Sequence, residues 1–448
     1  MRYIAVTIGL IATVTNAVVA AAADGKTPAT AADGRPQEAY ASELTIVLAG
    51  DTGLNGSFQP VYASFGTKQG TRLAWSDATG AIAPEVNGDI NFANLETVVT
   101  DRNDLKPNLK LFGFRTHPGG VRHLLEIGIN AFSTANNHAM DFGLEGGRET
   151  LKHLDELGVA HAGLGLDRKA ARTPAVLTVK GRAVAIGALG IIGSGYDAPA
   201  ENEERPGQLS YGSDRDFDEG VMALAATPAD YRILSVHYGQ EFEVNTSAVD
   251  RAKLAGALAH ADLVVGHHHH VPNGIEIVAG KPVFYGLGNF LHWGTQDMSR
   301  FDICRDYGLV ARVHLAAASG ERLTVRAIEA LPITQMHRTP RRMSAEDSAA
   351  RIQVLNHLAK RFNTNGVRFA TRTDGSGLYC AAGSERLSGE IGMACAARPH
   401  VTQPAPELAA KIQTACAQRV VRIVENEDEL VPEFATLSYE EPMLPSLP

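Results

Sequence analysis

Five short apolar runs, LTIVLAGD, DINFANLE, AFSTANNH, YRILSVHYG and ADLVVGHH, are spaced along the chain, and each closes on side chains able to bind a metal. Between them lie amphipathic segments such as Gly147 to Leu157 and Ser247 to His260, whose 3.6-residue period belongs to helices. Strands alternating with helices build an α/β fold around a largely parallel, buried sheet. Loops at the carboxyl ends of such strands converge on one crevice, so residues distant in sequence become neighbours there. At those ends the chain places Asp51, Asn94 with Glu96, Asn136 with Asn137 and His138, His237, and the quartet His267, His268, His269 and His270.

The quartet cannot be buried as ordinary core. Alternate residues of an extended segment face opposite sides, and every buried imidazole needs a hydrogen-bond partner. Taken singly, the other residues have structural explanations: Asp51 as a turn or helix cap, Glu96 as a cap, Asn137 as turn geometry, and His138 or His237 as a hydrogen-bonded core imidazole. Their joint placement argues otherwise. A carboxylate pair, an Asn-His pair and an H-x-H pair at strand ends are costly to bury without a charge to neutralise.

Asp, Glu, Asn oxygen and His nitrogen without thiolate suit manganese, iron or zinc in a hydrolytic site better than a closed structural zinc site. Five or six ligands exceed what one tetrahedral ion uses. The economical reading is a two-metal site about 3.5–4 Å across, bridged by a carboxylate or amide and by a water deprotonated near neutral pH that serves as nucleophile. No G-x-S-x-G motif offers a serine alternative.

Around this core the pattern varies. AVLTVKGRAVAIGALG and IEIVAGKPVFYGLGN each place a Lys or Gly turn between alternating runs and predict antiparallel hairpins, and LVARVHLAA with RLTVRAIEALPI adds another pair. After about Ile333 a helix from Ala345 to Phe362 precedes a cysteine-bearing region and an acidic, proline-rich tail, so residues 336–448 read as an extension to a domain spanning 44–335. Residues 1–23 have the build of a secretory signal peptide, with cleavage expected near Ala23, and 24–43 read as a flexible leader. The competing reading is an uncleaved anchor from Ile4 to Ala23, and only then would the chain associate with a membrane. An exported, periplasmic or extracellular location suits Cys304, Cys380, Cys395 and Cys416 as disulfides, with Cys380–Cys395 the first pair to test. Lys+Arg 41 against Asp+Glu 50 with no basic run excludes nucleic acid as a partner.

The motifs LAGDTGLNG, FANLET, STANNHAMDFG, SVHYGQEF and VVGHHHHVPNGIEIVAGKPVFYGLGNF, in that order, resemble the capsule-synthesis protein CapA family, associated with poly-gamma-glutamate and sharing the calcineurin-like metallophosphoesterase fold. The resemblance covers about Leu44 to Leu331. It implies a four-layer α/β/β/α sandwich, carrying here a C-terminal helical, cysteine-bearing extension, with one or two divalent ions (Mn, Fe or Zn). It also implies metal positions at Asp51, Glu96, Asn137, His237, His268 and His270, and at His138 a group that protonates the leaving group or holds the phosphoryl oxygen. Two departures stand out. His269 occupies a proline position of the family's x-H-P-H, which leaves His267 facing solvent or supporting a ligand, and Asp51 is followed by Thr52 and Gly53 where related enzymes carry Asp-x-His. Asp141, Glu241 and Asn289 accompany the motifs as groups that orient imidazoles or substrate, against a helix cap for Asp141 and turn geometry for Asn289.

Two functions follow from this reading. One is an exported metal-dependent hydrolase acting on a phosphorylated small molecule or on an amide or ester of a cell-envelope polymer, linked to capsule or poly-gamma-glutamate metabolism. The other is a non-catalytic envelope protein that holds a structural metal and binds an anionic polymer, working with capsule-synthesis machinery.

Overall fold

The first strand, β1 (Ser42–Gly53), starts within the segment expected to be leader and divides its partners along its length. The computed structural model describes residues 39–55, 64–66, 72–108, 112–192, 195–201, 203–418 and 420. The expected signal peptide, most of the leader and the acidic tail lie outside the described residues. Among the described residues ten strands form a large sheet, including β2 (Ile90–Leu95), β3 (Ala131–Ser133) and β4 (Ala160–Ala162). A second sheet of six strands is built from β5 (Ala175–Val179), β6 (Arg182–Gly190), β7 (Tyr231–His237), β8 (Leu263–His267), β9 (Ile275–Val278) and β10 (Lys281–Phe284), in the order β5-β6-β7-β8-β10-β9.

The expected hairpins are present. β5 pairs antiparallel with β6 and β9 with β10, while β6, β7, β8 and β10 run parallel. Alternation divides the second sheet: Val184, Ile186, Ile233 and Val265 join a core shared with Ile46, Leu48 and Phe92 of the large sheet. Ala185, Leu234, Val236 and Val264 face a different cluster with Phe217, Leu224, Leu254 and Leu258. Those four come from α3 (Asp214–Ala226) and from α4 (Ala248–Ala257) with its C-cap, the helices that succeed α1 (Pro118–Glu126) and α2 (Gly143–Leu157). The two sheets thus face one another, and apolar residues on both faces of the smaller sheet let helices cover its far side.

The large sheet also carries β11 (Asn289–His292), β12 (Gly308–Ala317), β13 (Thr324–Thr334), β14 (Ala370–Thr371) and β15 (Gly377–Cys380). From Ser42 to Leu48 β1 pairs antiparallel with β12, and from Asp51 to Gly53 it pairs parallel with β11. The crossover between partners falls at Gly50. A Cβ there would stand 1.8 Å from the Gly288 carbonyl oxygen, which accepts the Asp51 N–H at 3.0 Å. Only glycine admits that approach.

Beyond residue 336 the chain rejoins this sheet, β14 pairing with β15 and β15 with β13. Helix α5 (Ala345–Ala359) sends Ile352, Leu355 and Leu358 into the shared core. Cys380 is disulfide-bonded to Cys395, the expected short loop, and Cys304 to Cys416 across 112 residues. Beside the second disulfide, buried Arg305 donates to the carbonyls of Phe242, Ala415 and Gln418, tying the last described helix, α7 (Pro406–Ala417), which follows α6 (Gly389–Ala396), to the loop after β7.

Candidate metal centre

Register brings the first residues of the site together. Parallel pairing aligns Asp51 of β1 with Asn94 of β2 and with Asn289 of β11, so the carboxyl ends of β1 and β2 meet the start of β11 at one level. From the smaller sheet, His237 ends β7 opposite His267, which ends β8. The facing sheets turn both sets toward a common centre. There Asp51, Glu96 and His237 are fully buried, and His138, His268 and His270 are buried as well.

Glu96 is the pivot. Neither of its carboxylate oxygens has a hydrogen-bond partner, an arrangement that costs about 1–3 kcal/mol per orphaned group and more for a charge. It belongs to two groups of donors, Glu96 with His237 and His268, and Asp51 with Glu96 and His270, in each of which the donor atoms lie within 4.8 Å of one another. Glu96 Oε1 stands 3.5 Å from His237 Nε2 and Asp51 Oδ2 stands 3.3 Å from His270 Nδ1. These spacings are long for charge-assisted hydrogen bonds. The Glu96 to His237 spacing matches the roughly 3.3–3.6 Å edge of a tetrahedron whose donors sit about 2.0–2.2 Å from a common ion. Oxygen and imidazole donors, orphaned oxygens and this edge together fit divalent cations.

Hydrogen bonds hold the donors in place. Asn94 donates to Asp51 Oδ1 at 2.9 Å, so its nitrogen faces His237 Nδ1 at 3.2 Å, and His237 Nε2 meets Asn137 Oδ1 at 2.6 Å. His270 Nδ1 meets Asn289 Oδ1 at 2.8 Å, a contact to the site beyond any turn role. The other residue of the Asn-His element, His138, puts Nδ1 2.6 Å from Asp141 Oδ2 and Nε2 4.0 Å from Glu96 Oε1. Asp141 also accepts the Phe114 N–H at 2.7 Å, whereas the cap of α2 is Phe142 with no side-chain bond. Asp141 therefore orients His138 rather than capping the helix. Half-buried Glu241 adds negative charge toward Glu96 and His270.

Among protein groups alone, burial and then the charge of Asp51 push the Glu96 carboxyl up to about 8. Burial works against ionisation of Asp51 too, but facing imidazoles His267 and His270 outweigh it and hold that carboxyl well below its ordinary range. For His270 burial is likewise outweighed, here by Glu96 and Asp51, which raise it to about 10. Burial drives His237 and His268 well below the ordinary imidazole value and His269 down to about 4. Deprotonated imidazoles beside a carboxylate are the form that binds cations.

The quartet departs from the extended geometry expected of it. β8 ends at His267, and His268 and His270 then adopt φ of 90° and 56°, a left-handed backbone that non-glycine residues rarely take and that clusters at functional sites. Their rings lie 6.0 Å apart on the site. His267 faces no solvent: its side chain is fully buried against Phe92, 3.5 Å from Asp51 Oδ1, too long for a formed hydrogen bond. His269 packs edge-on against Tyr238, its Nε2 filling the space where Gly239, at φ 88°, has no Cβ.

His292, which sequence reasoning passed over, also reaches the centre. It ends β11 opposite Gly53 and is fully buried, pinned by a bond from its own N–H to the Met336 carbonyl and from the Trp293 N–H to the Gly53 carbonyl. Burial drives this imidazole down to about 3. The signal was present: NFLH ends an apolar run on a histidine, as SVH does.

From residue 45 to residue 293 the chain matches the family described as bacterial capsule synthesis protein PGA_cap. It is 29% identical over 370 residues to a probable polyglutamine synthesis accessory protein of Mycobacterium tuberculosis, covering 74% of this chain and 94% of that one. To the PGA biosynthesis protein CapA of Bacillus subtilis it is 31% identical over 241 residues, 53% of this chain and 60% of the relative. Among solved structures, the calcineurin-like phosphoesterase YfkN of Bacillus subtilis aligns over 65% of this chain and 90% of that one at 15% identity, with a TM-score of 0.37.

Proposed function

The chain belongs to the bacterial capsule synthesis protein family, and from that premise we propose that it is an exported metal-dependent hydrolase in capsule or poly-gamma-glutamate metabolism. The bond it cleaves is a phosphoester, or an amide or ester of a cell-envelope polymer. The observation that carries this reading is Glu96: fully buried, without a hydrogen bond at either oxygen, and common to two groups of donors. Asp51, Glu96, His270, His237, His268 and Asn137 would hold one or two divalent ions. Bound there, such ions supply charge neutralisation and a water acidic enough to attack near neutral pH.

The chain's own residues supply the rest. Asp141 fixes the His138 ring through Nδ1 and directs Nε2 to the Glu96 side of the centre, where it can give a proton to a leaving oxygen or nitrogen or hold a developing oxyanion. Asn94 couples Asp51 to His237, and Asn289 orients His270, so these three side chains are set before substrate arrives. Export to the periplasm or exterior is supported by the signal-like first residues and by two disulfides.

The test is elemental analysis of the mature protein, then a screen of phosphomonoesters, phosphodiesters and glutamyl amides with manganese, iron or zinc restored. Turnover that is lost in Asp51→Ala and His268→Ala is expected, and activity retained in both overturns the hydrolase. A second reading draws on the relatives' names, which speak of synthesis rather than breakdown. Bound metal and polyglutamate binding without turnover would establish a non-catalytic envelope component instead.

A further inference from the structure

The group Asp51, Glu96 and His270 offers three donors, one short of the tetrahedral set that borderline ions prefer. Glu96 divides its oxygens: Oε1 faces His237, and Oε2 faces a fourth imidazole, His292, whose Nε2 lies 3.4 Å away. That nitrogen is fully buried and has no hydrogen-bond partner, although it points at an acidic oxygen that also lacks one. Two complementary groups left unpaired at such close range are spaced as ligands of one ion rather than as a hydrogen bond.

We propose that His292 is the protein ligand that completes the cation position of Asp51, Glu96 and His270, through Nε2. This rests on the reading of the centre as a metal site and adds to it a residue outside the motifs that suggested that site. The ring is prepared for the task. Its Nδ1 meets the Asn55 amide and the Trp293 carbonyl at 3.4 Å each, weak contacts that set the ring plane and leave Nε2 to the centre. The His270 ring stands 5.8 Å off with its plane at 86° to that of His292, which places the two imidazoles beside the same centre without stacking.

The experiment counts metal rather than turnover. The full chain is stripped, reloaded with cobalt or zinc, and measured for metal content and for the visible spectrum of cobalt, alongside His292→Phe, which keeps the ring volume, and His292→Asp, which restores a ligand. Two ions in the unaltered chain, one in His292→Phe and two in His292→Asp are expected. Two ions held with unchanged affinity and cobalt spectrum by His292→Phe would overturn the assignment and leave His292 a structural or substrate-facing imidazole. An unaltered chain that holds no ion would instead sink the metal-site reading itself. Should the variants not fold, anomalous scattering from manganese-grown crystals of the unaltered chain decides. A peak at bonding distance from His292 Nε2 supports the assignment, and a peak bonded to Asp51, Glu96 and His270 alone refutes it.

Discussion

Glu96→Gln should move the stability of the metal-free and metal-loaded protein in opposite directions. In the stripped fold burial and Asp51 push the Glu96 carboxyl from 4.5 to about 8, while the unfolded chain titrates at its ordinary value. At pH 7 the fold must keep this group protonated 2.5 units above its unfolded value (7 − 4.5), a cost of roughly 3 kcal/mol at about 1.4 kcal/mol per unit. Glutamine removes that cost and leaves a buried amide worth about 1–3 kcal/mol of lost solvation. The stripped variant should therefore match the unaltered stripped chain or exceed it by up to roughly 2 kcal/mol. With metal present the order reverses, because the unaltered chain gains about 4 kcal/mol at a thousandfold excess over Kd and the variant, lacking the shared carboxylate, gains little. Denaturant unfolding in chelator and in saturating zinc measures both.

The same experiment has a pH arm. Between pH 6.5 and 8 the folded chain binds more protons than the unfolded one, at Glu96 (about 8 against 4.5) and at His270 (about 10 against 6.5). Stability of the stripped protein must then fall as pH rises through this window. Below pH 6.5 the depressed His237, His268 and His292 act with the opposite sign, since the unfolded chain then takes up their protons first. Glu96→Gln should flatten the upper slope. A stripped variant less stable than the unaltered stripped chain, together with an undiminished gain from zinc, would refute this account of the centre.

His138→Ala should lower turnover by about 10²–10⁴ with metal content unchanged, and Asp141→Asn should give a smaller loss and shift the pH profile, both read by steady-state kinetics beside elemental analysis. Cys304→Ser should cost about 4–5 kcal/mol because the bond closes a loop of 112 residues, against about 3 for Cys380→Ser with its separation of 15, compared by thermal unfolding. Gly50→Ala should cost more than about 4 kcal/mol, since its Cβ meets the Gly288 carbonyl at 1.8 Å, and abundance of folded protein reports it.

Strand ends were legible because short continuous apolar runs stop abruptly at polar side chains, so Asp51, Glu96 and His237 could be placed on one crevice before any geometry was known. The quartet was legible in content but not in direction. Alternation assumes an extended backbone, and the chain leaves it at His268, so the burial of His267 and the left-handed turns could not be derived from spacing. His292 was hidden differently. Its segment reads as a hairpin partner of β9, whereas the residues after Phe284 leave the smaller sheet and cross to β1 as β11. A change of sheet carries no local signature. Asp141 stood between two roles that one carboxylate can play, and only its distance to His138 separates them.

The clamp at Cys304 also imposes a schedule. Synthesis at about 5–20 residues per second separates Cys304 from Cys416 by roughly 6 to 22 s, and until then Arg305 has neither Ala415 nor Gln418 to hold. Arg305 also holds the Phe242 carbonyl, five residues past His237. The wall of the centre beside β7 is thus fastened from behind by the last described helix, and a chain cut short before Cys416 would present every donor residue on a wall not yet locked.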